Sequence, residues 1–293
     1  MASEGDRRSD LEVAGRRSRL LAGLRLEGEG ARGVAIALLS TIVFFTAVVV
    51  AVTQAPGWPR VRRTFFNWDD ISSSFPDIAR AFELNVKIFV VAEVFILVVA
   101  LGIAILRSLP GPVFFPLRLL AIVYADLARG VPTILVVALL GFGAPALELS
   151  GVPTSRVFWA TVGLILIYSG YVSEVYRSGI ESVHPSQEAA ARSLGLSRTQ
   201  AMRRVILPQA IRRVIPPLLN DFIGLQKDTA LVGTLGVIEA FNQSQIDTNA
   251  TFTYGAYLAA AALFVALTIP LARLTDWLIA RDRRRRQATG VLA

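Results

Sequence analysis

The sequence predicts an all-α integral membrane protein with about six transmembrane helices. Hydrophobic residues make up 54% of the chain, and the mean hydropathy is +0.55. Long apolar runs recur near residues 33–54, 88–106, 117–143, 157–173, 214–241 and 254–280. A soluble core of this size needs no such uninterrupted runs, whereas a membrane span does. Arginine clusters bracket the whole set: Arg7, Arg8, Arg16, Arg17, Arg19, Arg25 and Arg32 before it, Arg281 and Arg283 to Arg286 after it.

Each part of the chain follows from this reading. Residues 1–32 are polar and charged and are expected to form a mobile cytoplasmic tail. Residues 33–54 carry no charge. As a helix they rise about 33 Å, enough to cross a hydrocarbon core of about 30 Å. Residues 55–84 read as an extracytoplasmic loop, with Trp58 and Trp68 suited to an interfacial belt. Residues 85–280 hold the remaining spans, and a long polar loop over 178–212 divides them. An Arg-rich tail over 281–293 follows. An even number of crossings puts both termini on one side, and their arginines make that side cytoplasmic. Arg60, Arg62 and Arg63 run against this assignment, because they fall outside. The fifth span is interrupted by Pro216, Pro217, Gly224, Gly233 and Gly236, which membranes tolerate where neighbours or a cavity satisfy the backbone.

Several function classes drop out. The net charge of +8 would suit nucleic acid in a soluble protein, but here the arginines flank spans, so a lipid bilayer is the expected partner and nucleic acid is not. The chain has no cysteine and one histidine, His184. Thiolate metal sites, disulfides, cysteine nucleophiles and histidine-based triads are therefore excluded. No metal site, no catalytic residue and no cofactor of its own are expected.

The strongest local signal lies in the polar loop. Pro185 and Ser186 start a short helix, with Glu188 favourable in its first turn. Gly195 can turn left-handed and stop it. Ser197 and Gln200 then form a capping box for a second helix, near whose end Pro208 falls. Ala189, Ala190 and Ala191 give the first helix a small-residue face.

This loop resembles the EAA loop of bacterial ABC-importer permeases, whose pattern is E-A-A, three residues, G, nine residues, I-x-L-P. Gly195, Leu207 and Pro208 match at the right spacing, with Val205 in place of Ile. The family's glutamate aligns with Ala189, and Glu188 stands one residue early. Ser193-Leu194-Gly195 and Leu207-Pro208-Gln209-Ala210 resemble the polar amino-acid branch. Further stretches agree in order: Arg129-Gly130-Val131-Pro132, then Tyr171 to Ile180 with Glu174 and Arg177, then Asn220 with Lys227-Asp228-Thr229-Ala230-Leu231. The resemblance implies a type I importer permease whose loop carries a coupling helix. Gln187, Glu188, Ala189, Ala190, Ala191, Gly195, Leu207 and Pro208 would dock on an ABC ATPase subunit, which binds the ATP. It also implies an extracytoplasmic substrate-binding protein and a second permease chain, identical or homologous. Residues 1–84, with the first span, lie outside the resemblance.

Ionisable groups inside apolar runs are functional candidates by default. Glu93, Asn220, Lys227, Asp228 and Thr229 are the candidates for a translocation path or gate, since a polar amino acid presents both signs of charge. Asp126 and Arg129, Glu174 and Arg177, and Arg273 and Asp276 are each three residues apart on one helix face and are expected to pair structurally. An ion-coupled secondary transporter is the alternative, suited by Glu93 and the broken span, but it leaves the 186–210 loop without a role. A membrane-embedded enzyme lacks a nucleophile motif.

Overall fold

The computed structural model describes residues 30–109 and 111–288, with side chains over 33–109 and 111–281. The tail arginines Arg7 to Arg25 and the last residues 289–293 lie outside the described residues. The chain divides into two compact units, Met1–Arg62 and Arg63–Ala293.

The first unit contributes α1, Gly30–Thr53, as the uncharged run requires. Its length and apolar composition are enough to cross a membrane. A short helix, α2, spans Trp58–Phe65.

Among its described residues the second unit contains helices joined by turns and no strand. Helix α3 runs Trp68–Ser108. The segment expected as a loop over 55–84 is thus mostly helix. Asn67 caps α3 by accepting from Asp69 N at 3.2 Å. Exposed ion pairs at helical spacing, Asp77–Arg80 at 3.0 Å and Glu83–Lys87 at 2.7 Å, carry it through its polar first half. The run 117–143 is two helices, α4 (Phe115–Gly130) and α5 (Thr133–Ala146), bent by 102°. Pro132 explains the break, because the residue before a proline is pushed out of helical geometry: Val131 is extended at φ −99°, ψ 132°.

Helix α6, Arg156–Glu181, stands at the centre. Its Leu164, Ile167, Tyr168 and Val172 share one buried cluster with Ile88, Ala92 and Ile96 of α3. Glycines let its other neighbours approach. Gly163 lies against Val137 Cα of α5, where a Cβ would stand at 3.3 Å, and a Cβ at Gly170 would collide with Ala128 Cβ of α4. Such close approach of small residues is how helices gain contact in lipid, where burial alone drives nothing. Tyr124 of α4 also donates to Leu166 O at 2.7 Å.

After α6 the loop forms α7 (Pro185–Ser193), α8 (Arg198–Ala201) and a π turn over Met202–Ile206. Helix α9, Leu207–Asp228, leads back, followed by a 3₁₀ segment Thr229–Leu235 and α10, Ala240–Thr251. By length and composition, four helices and the bent pair qualify as spans, and α9 does not. Yet α9 with its 3₁₀ continuation covers the depth of α6: a Cβ at Gly179 would meet Val214 at one end, and Arg156 donates to Leu235 O at 3.0 Å at the other. The irregular fifth crossing is therefore a broken one.

Helix α11 runs Gly255–Ala288, so the backbone helix continues through the arginine run at 283–286. It lies beside α3 in the same direction: Gly255 faces Ile71, and the Phe82 and Phe264 rings meet edge-on at 5.0 Å. The starts of α3 and α11 therefore share the face opposite the loop.

Replacing Gly170 by Val is expected to force α4 and α6 apart and to cost about 2 kcal/mol. Gly143→Val, where a Cβ meets open space, should leave stability nearly unchanged. Thermal unfolding of the two purified variants in detergent checks the difference.

Candidate functional site

The 185–208 loop is a compact hairpin. His184 caps α7, its ring nitrogen accepting from Ser186 N at 3.2 Å. At the tip, Gly195 has φ +85°. Leu196 N donates to Ala191 O at 3.2 Å and Gly195 N to Arg192 O at 3.0 Å, the paired bonds of a Schellman stop. Ser197 and Gln200 cap each other reciprocally, at 2.9 and 3.3 Å. Pro208 falls in the first turn of α9, not near the end of a helix. A proline suits either place, since the first-turn N–H groups have no intrahelical partner. The π turn joins α8 to α9 without a break in the chain's helical course.

The hairpin is fastened to the bundle. Val183, Ile206 and Ala210 form a small buried cluster with Met202 against it. Arg213 donates to Ser182 O, and Gln209 Nε2 reaches Gln187 Oε1 at 3.5 Å. Of the docking residues read from the sequence, Ala191 faces inward at 4% exposure. Gln187, Ala189, Ala190, Gly195, Leu207 and Pro208 are exposed. Glu188 is half-buried and turns to Arg198 of the hairpin itself, at 3.7 Å. Leu194, which the sequence did not single out as a docking residue, projects from the tip at 84% exposure.

Just above the hairpin, Glu174 gathers three arginines. Arg107, from the end of α3, lies at 2.5 Å, Arg177 pairs with it three residues on, and Arg129 of α4 stands at 3.8 Å. Arg177 also pairs with Glu181. The expected Glu174–Arg177 pair is present, but Arg129 does not pair with Asp126. Asp126 is exposed, while Arg129 turns toward the shared carboxylate. Helical spacing allowed the local pair, but Arg129 stands instead at the edge of the Glu174 cluster. Arg273 and Asp276 do pair, at 3.2 Å on the surface.

The path candidates are spread over α3 and α9. Glu93 and Asp228 are half-buried, whereas Asn220 and Lys227 are exposed. Tyr168 donates to Asp228 Oδ2 at 2.9 Å. Gly224, one turn before Asp228, makes room for it: a Cβ there would stand 3.2 Å from the Tyr168 hydroxyl. Asp221 Oδ2 is buried without a hydrogen-bond partner among the described residues.

Thr229 belongs to a buried polar knot. Asn85 Nδ2 donates to Thr229 Oγ1 at 3.2 Å and to Glu239 Oε2 at 2.8 Å, and Asn85 Oδ1 accepts from Ala240 N at 3.1 Å. Glu239, fully buried, also accepts from Asn242 N at 2.8 Å and so caps α10. Thr268 of α11 donates to Gln226 Oε1 at 2.8 Å beside it. The sequence reading missed Asn85, Gln226 and Glu239. The available signal was Glu239 itself, a lone carboxylate in the apolar stretch 230–241.

A mostly apolar helical bundle with an exposed, rigidly attached hairpin on one face defines a membrane permease of the importer class. The chain belongs to the family of binding-protein-dependent transport system inner membrane components, whose model matches residues 112–284. A probable amino-acid permease protein (YxeN) of Bacillus subtilis is 35% identical over 211 residues, covering 72% of this chain and 93% of that protein. A probable glutamine ABC transporter permease protein (GlnM) of the same organism is 35% identical, covering 59% and 78%. Among solved structures, that of an amino acid ABC transporter with histidines superposes with a TM-score of 0.64 at 29% identity, covering 70% of this chain and 94% of that one.

Glu174→Gln is expected to destabilise the bundle by about 2 kcal/mol, between the values of exposed and buried pairs, because the arginines lose their shared counter-charge. Asp126→Asn should cost nothing measurable. Thermal unfolding of both variants in detergent separates this arrangement from the local pairing.

Proposed function

We propose that this chain is the membrane-spanning permease subunit of an ATP-driven importer of polar amino acids, working with a separate ATPase subunit. The observation that carries the reading is the hairpin at 185–208, whose exposed tip stands out from a base buried against α6 and α9. A surface that is free outward and rigid inward can pass a movement of a partner into the spans. Gln187, Ala189, Ala190, Leu194 and Gly195 form the surface offered to the ATPase, and the Glu174 cluster holds the ends of α3, α4 and α6 above it.

Energy comes from the partner, since the sequence has no G-x-x-x-x-G-K-[ST] phosphate loop. ATP is bound there, and this chain holds no cofactor. An extracytoplasmic binding protein delivers substrate, as the family's description implies, and a second permease chain completes the path. The amino-acid class is taken from the relatives' names. The protein sits in a bacterial cell membrane with both termini cytoplasmic, the arginine clusters supporting that orientation. Residues 1–84 are an N-terminal addition to a permease core over 85–280. Glu93 and Asp228 line the path from α3 and α9, with Asn220, Lys227 and Thr229 at its edge or gate.

Affinity purification of the tagged chain from its own membranes is expected to bring down an ATPase subunit, and Gly195→Asp to lose it. An aspartate at φ +85° costs about 1 kcal/mol of backbone strain and places charge on the docking tip. A well-folded wild type that purifies without an ATPase would count against the reading.

Uptake into membrane vesicles is expected to require ATP and to persist with an uncoupler present. Glu93→Gln and Lys227→Met should each reduce uptake at unchanged membrane levels. Full uptake in both variants would remove those residues from the path.

A further inference from the structure

Between α3, α6 and α9 the bundle leaves a groove unfilled, with a volume of about 480 Å³, the size of a site that takes a whole small ligand. Buried Ala104, Ala210 and Val214, all short side chains, set its floor, while Leu101, Ile105, Ile211 and Ile215 are exposed along its walls. Only Ser108 and Tyr176 bring polar side chains to the lining, and Ser108 Oγ donates to Ile105 O at 2.8 Å. A polar amino acid would leave its charged groups without partners here, so its import gives the groove no task.

The ends of three helices set the level of the groove. Ser108 is the last residue of α3, Leu207 the first of α9, and Ile180 the last but one of α6. The groove therefore opens on the loop side of the bundle. From Leu207 to Leu218 it runs about 16 Å along α9, close to half of a hydrocarbon core of about 30 Å, the depth of one leaflet.

Two cations stand at this mouth. Arg203 and Arg204 are exposed and form no ion pair among the described residues. In the π turn Leu207 N donates to Met202 O, a five-residue step. Arg203 and Arg204 thus lie about one turn before Leu207, at the end of the stripe that Leu207, Ile211 and Ile215 carry into the groove. Arg212 is exposed as well, but it stands about 100° round the helix from Ile211. A second copy of this chain seated two-fold on the groove would bring its own arginine pair to the same face, adding like charge to like. An anionic lipid has the complementary pattern, an apolar chain below a negative head.

We propose that the groove binds an anionic phospholipid of the inner leaflet, one acyl chain lying against Ala104, Ala210 and Val214 and the head-group phosphate held by Arg203 and Arg204. Basic pockets between spans on the cytoplasmic side suit such head groups, and the guanidinium fork matches phosphate oxygens two at a time. The lipid bridges α9, which continues from the hairpin, to α3 and α6. The inference rests on the proposed orientation only for which leaflet is meant, and its test needs neither an ATPase nor transport.

The test is native mass spectrometry of the full chain released from nanodiscs of phosphatidylcholine and phosphatidylglycerol. The wild type should retain phosphatidylglycerol in preference to phosphatidylcholine. Arg203→Gln with Arg204→Gln should weaken that retention about thirtyfold, two arginines near an anionic surface contributing about 1 kcal/mol each, and Arg212→Gln should weaken it far less. Ile211→Trp, which fills the groove from an exposed position, should lower retention with both arginines in place and thermal unfolding unchanged. Excess inorganic phosphate should not displace the lipid. Ile211→Cys, the one thiol in a chain without cysteine, should stay unlinked when membranes are oxidised. Retention equal to wild type in either the double variant or Ile211→Trp overturns the proposal, as does displacement by inorganic phosphate. So does a disulfide-linked dimer of Ile211→Cys, which would place a second copy in the groove.

Discussion

One carboxylate decides where the membrane bundle ends and the loop begins. Glu174 sits between the last turns of α3 and α4 and draws Arg107, Arg129 and Arg177 onto itself. Three guanidinium groups crowded at the end of a bundle would repel without it. With it, they become the fastening of three helices that otherwise touch mainly through apolar and small residues, Tyr124 of α4 adding a bond to Leu166 O of α6. The hairpin emerges a few residues further along α6, from a platform whose geometry is already set. Lipid offers no hydrophobic gain for bringing helices together, so a shared charge at the bundle's edge and close-packed glycines within it have to supply the cohesion.

The polar knot around Asn85 is the counterpart at the other side of the core. It joins α3, the 3₁₀ segment and α10 directly, and α11 by way of Gln226, through hydrogen bonds that lipid cannot supply. Thr229 and Glu239 accept, Asn85 donates twice, and the Ala240 N–H is satisfied in return. A broken helix needs such partners, because each free backbone or side-chain group inside a membrane costs several kcal/mol. The interruption of the fifth crossing is thus tolerated by a network drawn from three other elements.

Local physics made much of this legible. Apolar runs are local, and the helices at 33–53, 156–181 and 255–281 appear where the runs do. The hairpin was legible because its stop and its cap are written in adjacent residues, Gly195 and Ser197 with Gln200. What escaped was long-range. Arg107 meets Glu174 across 67 residues, and Asn85 meets Glu239 across 154, separations at which no helical periodicity speaks. Arg129 shows the cost of reading only neighbours: Asp126 is at the right spacing and is still passed over. The polar 68–84 segment looked like a loop because hydropathy reports the solvent a helix meets and is silent on whether it is a helix.

Helix α3 has 41 residues, about 61 Å at the usual rise and twice the thickness of a hydrocarbon core. It therefore lives in two solvents. The exposed stripe on its first half alternates in sign, Asp77, Arg80, Glu83, Lys87, and closes into two internal pairs. Such a stripe keeps the helix wetted at contact range, while its field cancels over the roughly 8 Å on which salt screens charge anyway. Seen by a charged solute beyond that range, the stripe of four is electrically blank.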